Sequence, residues 1–176
     1  MRAARVCLII LLGSLCLTRV AAVEDEPVKL SKTVRCSTLA EARGSLTDRL
    51  LTPPVKLGAK REEVHAKLGS PKEVIGFGNE FYKVKDASVM VSYTSDDRGD
   101  QIANLVELHP NREISWSNWL KPSVQLPRPS LREVKPKSVL ITLQIRIEDI
   151  GESRGLHMTL IGDQEAVSFI HWSLIL

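Results

Sequence analysis

Few of the residues able to do covalent or metal chemistry stand in a pattern that would let them. Cys36 is the one cysteine outside the apolar N-terminal run that holds Cys7 and Cys16. A thiol nucleophile needs a base beside it, and the four histidines, His65, His109, His157 and His171, are far apart in the chain. A Cys36–histidine pair is therefore one route to an enzyme of unknown type, and a buried, inert thiol is the other reading. No two histidines are four apart and there is no Cys-x-x-Cys, so no metal site is expected. His157 and His171 fall on strands expected to be neighbours and read as exposed or half-buried strand residues. Gly76-Phe77-Gly78-Asn79 precedes a strand rather than a helix, which makes it a turn and not a phosphate cradle. Asp96-Asp97-Arg98-Gly99-Asp100 lacks the alternating ligands and terminal Glu of a calcium loop and reads as a solvated hairpin tip. Without a nucleophile elbow, Walker loop or dinucleotide fingerprint, no catalytic residue and no cofactor are expected.

What is left is binding. Trp116 and Trp119 are three apart, so one or two helical turns put both indoles on one side. Aromatic anchors dominate interfaces, which makes this pair the candidate binding residues. Large indoles also plug cores, so one or both closing the end of a sheet is the competing reading.

The elements that would position these residues begin after a separate N-terminal object. Arg2 and Arg5 form a basic start, residues 6–17 are almost unbroken apolar, and Val20-Ala21-Ala22 offers small residues for a cut between Ala22 and Val23. That is the grammar of a secretory signal peptide over residues 1–22, with a run too short to span a bilayer comfortably. Cys16 does not fit a lipidation signal, because Leu15 stands where a small residue is needed. Cleavage removes three of the 24 Lys and Arg and none of the 21 Asp and Glu, leaving a neutral mature chain. Neutrality argues against a nucleic-acid partner. The expected location is periplasmic or secreted, with no integral membrane segment once the signal is gone.

Residues 23–37 are polar and read as a flexible leader. Residues 38–51 read as a first helix: Thr38 and Glu41 have capping-box spacing, and Leu39, Ala42, Leu46 and Leu50 recur at three or four. Residues 61–68 read as a second, short helix. Glu62 and Glu63 suit its positive end, Val64 and Leu68 share a face, and Gly69 and Pro71 stop it. So short a helix is stable only if Val64 and Leu68 pack on something. Residues 80–85, 88–94 and 102–108 read as three strands with short links, an antiparallel meander. Residues 110–137 form a proline-rich connector that carries the tryptophan pair. In residues 139–148, Val139, Ile141, Leu143, Ile145 and Ile147 alternate with mostly polar neighbours and open a second three-stranded set over 138–176.

Gly58, Ala59, Lys60, Arg61, Glu62-Glu63, Val64 and Leu68-Gly69-Ser70-Pro71, followed by the aromatic strand at Phe81-Tyr82, resemble the motif of the BamE-like (SmpA/OmlA) family. The resemblance covers residues 38–108. It implies two small helices on a three-stranded antiparallel sheet and an exported, non-enzymatic scaffolding or inhibitory role. Similar units occur, sometimes in tandem, in β-lactamase inhibitor proteins. Lys60 departs from the hydroxyl usual at the helix start, and the lipidated cysteine of outer-membrane members is missing.

The expected protein is therefore α+β: short helices packed on an antiparallel meander sheet or sheets, with a further three-stranded set at the C-terminus. Its expected work is protein–protein binding or scaffolding in the bacterial envelope. The rivals are an inhibitor of the tandem kind, which needs the second strand set to extend or repeat the first sheet and leave a concave exposed face, and an enzyme using Cys36.

Overall fold

A computed structural model describes residues 26–76, 78–129, 139–151 and 154–175. The expected signal peptide, with its expected cut at Ala22–Val23, lies outside the described residues, as does most of the second half of the proline-rich connector.

The strands are β1 (Val28–Thr38), β2 (Glu73–Ile75), β3 (Asn79–Val84), β4 (Ala87–Ser95), β5 (Gln101–Pro110), β6 (Ile114–Ser115), β7 (Val139–Gly151), β8 (Arg154–Gly162) and β9 (Ala166–Ile175). The helices are α1 (Leu39–Ser45), α2 (Asp48–Leu51) and α3 (Arg61–Leu68), with a 3-10 turn at Trp116–Asn118. All nine strands belong to one sheet, in the order β1-β7-β8-β9-β5-β4-β3-β2, with β6 beside β9. Every pairing is antiparallel except β1 with β7, which is parallel.

This corrects the expected fold class. The chain is not built of short helices on a meander; it is one large mixed sheet carrying three short helices. The physical reason is that a three-strand meander leaves two open edges of unpaired backbone groups. The first set closes one of its edges on the second, where Leu105–Leu108 of β5 pair with Ile170–Ser173 of β9. The leader expected over 23–37 is, from Val28 onward, strand β1, which covers the outer edge of β7 from Val28↔Val139 to Thr38↔Asp149. The single helix expected over 38–51 is broken in two at Leu46 and Thr47, where Leu46 turns extended and bridges to Leu120.

The side chains of one sheet face run in continuous rows across the strands. Val34, Ile145, Met158, Trp172, Val106, Val91 and Glu80 are successive lateral neighbours. Leu143, Leu160, Ile170, Leu108, Val89 and Tyr82 form the next row. Burying Ile141, Leu143, Ile145 and Ile147 alone is worth roughly 6–12 kcal/mol before entropy, at about 1.5–3 each. All four are at most 2% exposed. The cover is a second layer of α1, α2, α3 and the tryptophan segment, contributing Ala42, Leu46, Leu50, Val64, Trp119 and Leu120 to the same core. Trp172 ties the layers together by donating its Nε1–H to the Leu50 carbonyl at 2.8 Å.

Candidate functional site

With the helices all on one side, the other face of the sheet has no covering element among the described residues. Strand alternation decides what it displays. Arg35, Arg146, His157 and Ser173 lie side by side on β1, β7, β8 and β9. The adjacent row runs Thr33, Gln144, Thr159, His171, Glu107, Met90 and Phe81. Ile161 pairs with Phe169, and Leu105 with Ser173. The face therefore has a cationic end over β1 and β7 and a mixed centre of half-buried Phe169, Ile161, Leu105 and Met90.

Glu107 organises the centre. His171 Nδ1 lies 3.3 Å from its Oε1 and His109 Nε2 3.6 Å from its Oε2. The His109 ring packs on Phe169 with centroids 4.9 Å apart. At the cationic end, a depression of about 590 Å³ is lined by Thr33, Arg35, Gln144, Arg146, His157 and the end of β9. Neither arginine has a hydrogen-bonded or ion-paired partner among the described residues. Burial, then His171 and Arg146, push the His157 imidazole below its usual range, because each disfavours a second positive charge there.

A second cluster lies in the covered layer. Glu80 is fully buried, yet it is a carboxylate. Arg61 donates to its Oε1 through Nε at 2.8 Å and Nη2 at 2.5 Å. His65 Nε2 is 2.9 Å from Oε2, Tyr93 donates to Oε2 at 2.7 Å, and Tyr82 donates to Oε2 as well. Burial alone would raise the carboxyl, but the donated bonds from Tyr82, Tyr93, Arg61 and His65 outweigh it and hold it down at about 2. Burial and the Glu80 charge push Tyr82 up to about 12. Arg61 and His65 are one turn apart on α3, so the cluster clamps that helix to β3 and β4.

The residues singled out from the sequence scatter between these places. Trp116 and Trp119 both lie in the covered layer, 5% and 1% exposed, and offer no surface anchor. Trp116 donates its Nε1–H to the Asp163 carbonyl at 2.9 Å, and the Arg49 guanidinium sits 4.4 Å over the Trp119 ring. Cys36 is 3% exposed among apolar side chains, and burial, aided by the Glu41 charge, pushes its thiol up, away from the reactive thiolate. His157 and His171 do meet, with ring centroids 6.5 Å apart. No group of three or more metal-ligating side chains forms among the described residues. Asp96 accepts from the amides of Arg98 and Asp100, the geometry of a hairpin tip. Glu63 accepts the Lys60 amide at 3.3 Å, completing the half of a capping box that Lys60 leaves.

Glu80, Arg35 and Arg146 were not singled out. Glu80 shares a strand face with Tyr82 by simple alternation, and that was the available signal. Nothing local pairs Arg35 with Arg146, because their adjacency comes from a parallel pairing across 111 positions.

No helix among the described residues is long and apolar enough to cross a membrane. No family model, curated protein or solved structure matches the chain.

Proposed function

We propose that the chain is an exported, non-enzymatic binding protein that presents the open face of its nine-stranded sheet to a partner protein in the bacterial envelope or outside the cell. The supporting observation is that face itself. It combines half-buried Phe169, Ile161, Leu105 and Met90 with histidines and charges at its margins, the composition of an interface core with a polar rim. The resemblance over residues 38–108 and the signal-like N-terminus belong to the same proposal. The test is a photo-crosslinking residue placed at Leu105 or Phe169, with Glu62 on the exposed side of α3 as control, exposed to envelope extract. Discrete adducts are expected from the first two positions and none from the third. Absence of a reproducible adduct from the sheet face would count against the proposal.

One observation favours a second reading. The β5–β9 pairing makes the C-terminal strands extend the first sheet, which is one of the two features that an inhibitor of the tandem β-lactamase-inhibitor kind requires, the other being a concave exposed face. That reading predicts stoichiometric loss of β-lactamase activity when the protein is added. A Cys36 nucleophile finds no support, since the thiol is enclosed.

A further inference from the structure

We infer that the depression between Arg35, Arg146 and His157 is a carboxylate-binding site that seats an acidic loop of a protein partner. The inference rests on the open sheet face being a docking surface and names the chemistry recognised at one end of it.

Adjacent strands stand about 4.8 Å apart, so side chains at paired positions are close neighbours. Arg35 and Arg146 occupy paired positions on β1 and β7, both exposed. Like charges side by side are destabilising, and neither guanidinium has a compensating partner among the described residues. The fold therefore holds two guanidinium groups without partners among the described residues at neighbouring positions, and an anion seated between them would bridge both. Guanidinium groups match a carboxylate in planar, two-point fashion, and Gln144, Thr33 and Ser173 add neutral polar groups around the depression.

The surroundings select a discrete carboxylate over a polyphosphate. Glu148 follows Arg146 on the same strand face, and Glu107 lies beyond His171 on β5. A nucleic-acid backbone laid across this face would meet both acids, whereas a flexible peptide can seat one carboxylate between the arginines and direct its other groups away. The half-buried apolar centre beside the depression suits the rest of a protein surface. The groups facing His157 are Arg146 on β7 and His171 on β9, with Arg35 and Glu107 one strand further out on either side. A carboxylate entering there favours the imidazolium, so binding takes up a proton and tightens as pH falls.

The probe is a hexaglutamate peptide titrated into the full mature chain and followed by the arginine Nε–H and His157 resonances. Saturable binding centred on Arg35, Arg146 and His157 is expected, weakened at least tenfold in the R35Q/R146Q double variant and unchanged in K29Q. Both arginines are exposed, so the double variant should melt with the parent. His157→Gln should flatten the pH dependence between 5.5 and 7.5. The inference is overturned by absence of saturable binding, by equal loss in K29Q, or by inorganic phosphate binding as tightly as the peptide. A dimer that R35Q/R146Q dissolves would also overturn it, by marking a second copy as the occupant. Crosslinks from Phe169 that persist while hexaglutamate fails to bind would leave the docking face standing and remove only the carboxylate site.

Discussion

Glu80 carries more of the stability than its position near a sheet edge suggests. Its carboxyl titrates near 2 in the folded chain against 4.5 ordinarily, so the folded state is the stronger acid. The contribution is complete above pH 4.5 and disappears as pH falls through 2, and it amounts to about 3 kcal/mol. Glu80→Gln should lose about 2–3 kcal/mol in urea denaturation at pH 7, and much less at pH 2.5, where the parent carboxyl is itself approaching protonation. Equal stability of the two proteins at pH 7 would contradict the clamp. At Cys36, burial predicts a thiol that resists a disulfide reagent in the native protein and reacts promptly in urea. Native reaction as fast as that of the unfolded chain would return the thiol to consideration as a nucleophile.

At the scale of elements, α3 illustrates how little a short helix holds by itself. Its eight residues are fixed by Val64 below and by Arg61 and His65 on Glu80, and Gly58 enters it at φ +84°, where a side chain is strained. The β8–β9 hairpin depends on a different glycine. A Cβ at Gly162 would sit 2.0 Å from the Ala166 carbonyl oxygen, an approach only glycine permits. Gly162→Ala should therefore cost several kcal/mol, since backbone on both strands would have to move, whereas Gly44→Ala in α1 meets nothing within 4 Å and should be neutral or stabilising. Thermal melts of the two variants check this, and similar melting temperatures would refute it.

For the whole molecule, the two sheet edges differ in kind. One is β1, eleven residues long with Lys29, Lys32 and Arg35 along it, charges that discourage pairing with another chain. The other is β2, three residues long, with Val74 54% and Ile75 46% exposed. Val74→Lys with Ile75→Lys should leave stability within about 0.5 kcal/mol and reduce self-association at high concentration, measured by sedimentation. Much of this protein was legible in one dimension. The capped helix at 61–68, the alternation of Val139 to Ile147 and the strands near 80–108 follow from periods and stops that each segment carries locally. Strand β1 was half legible: Val28, Leu30, Val34 and Cys36 alternate, but Lys32 breaks the pattern, its ammonium reaching the Gln125 carbonyl. What the tertiary structure alone decided is how the pieces meet. The parallel addition of β1 to β7, the join of β5 to β9, the burial of Trp116 and Trp119, and the pairing of Arg35 with Arg146 are contacts between distant residues. Such contacts depend on which open edges and apolar faces find one another, and no local period records that choice.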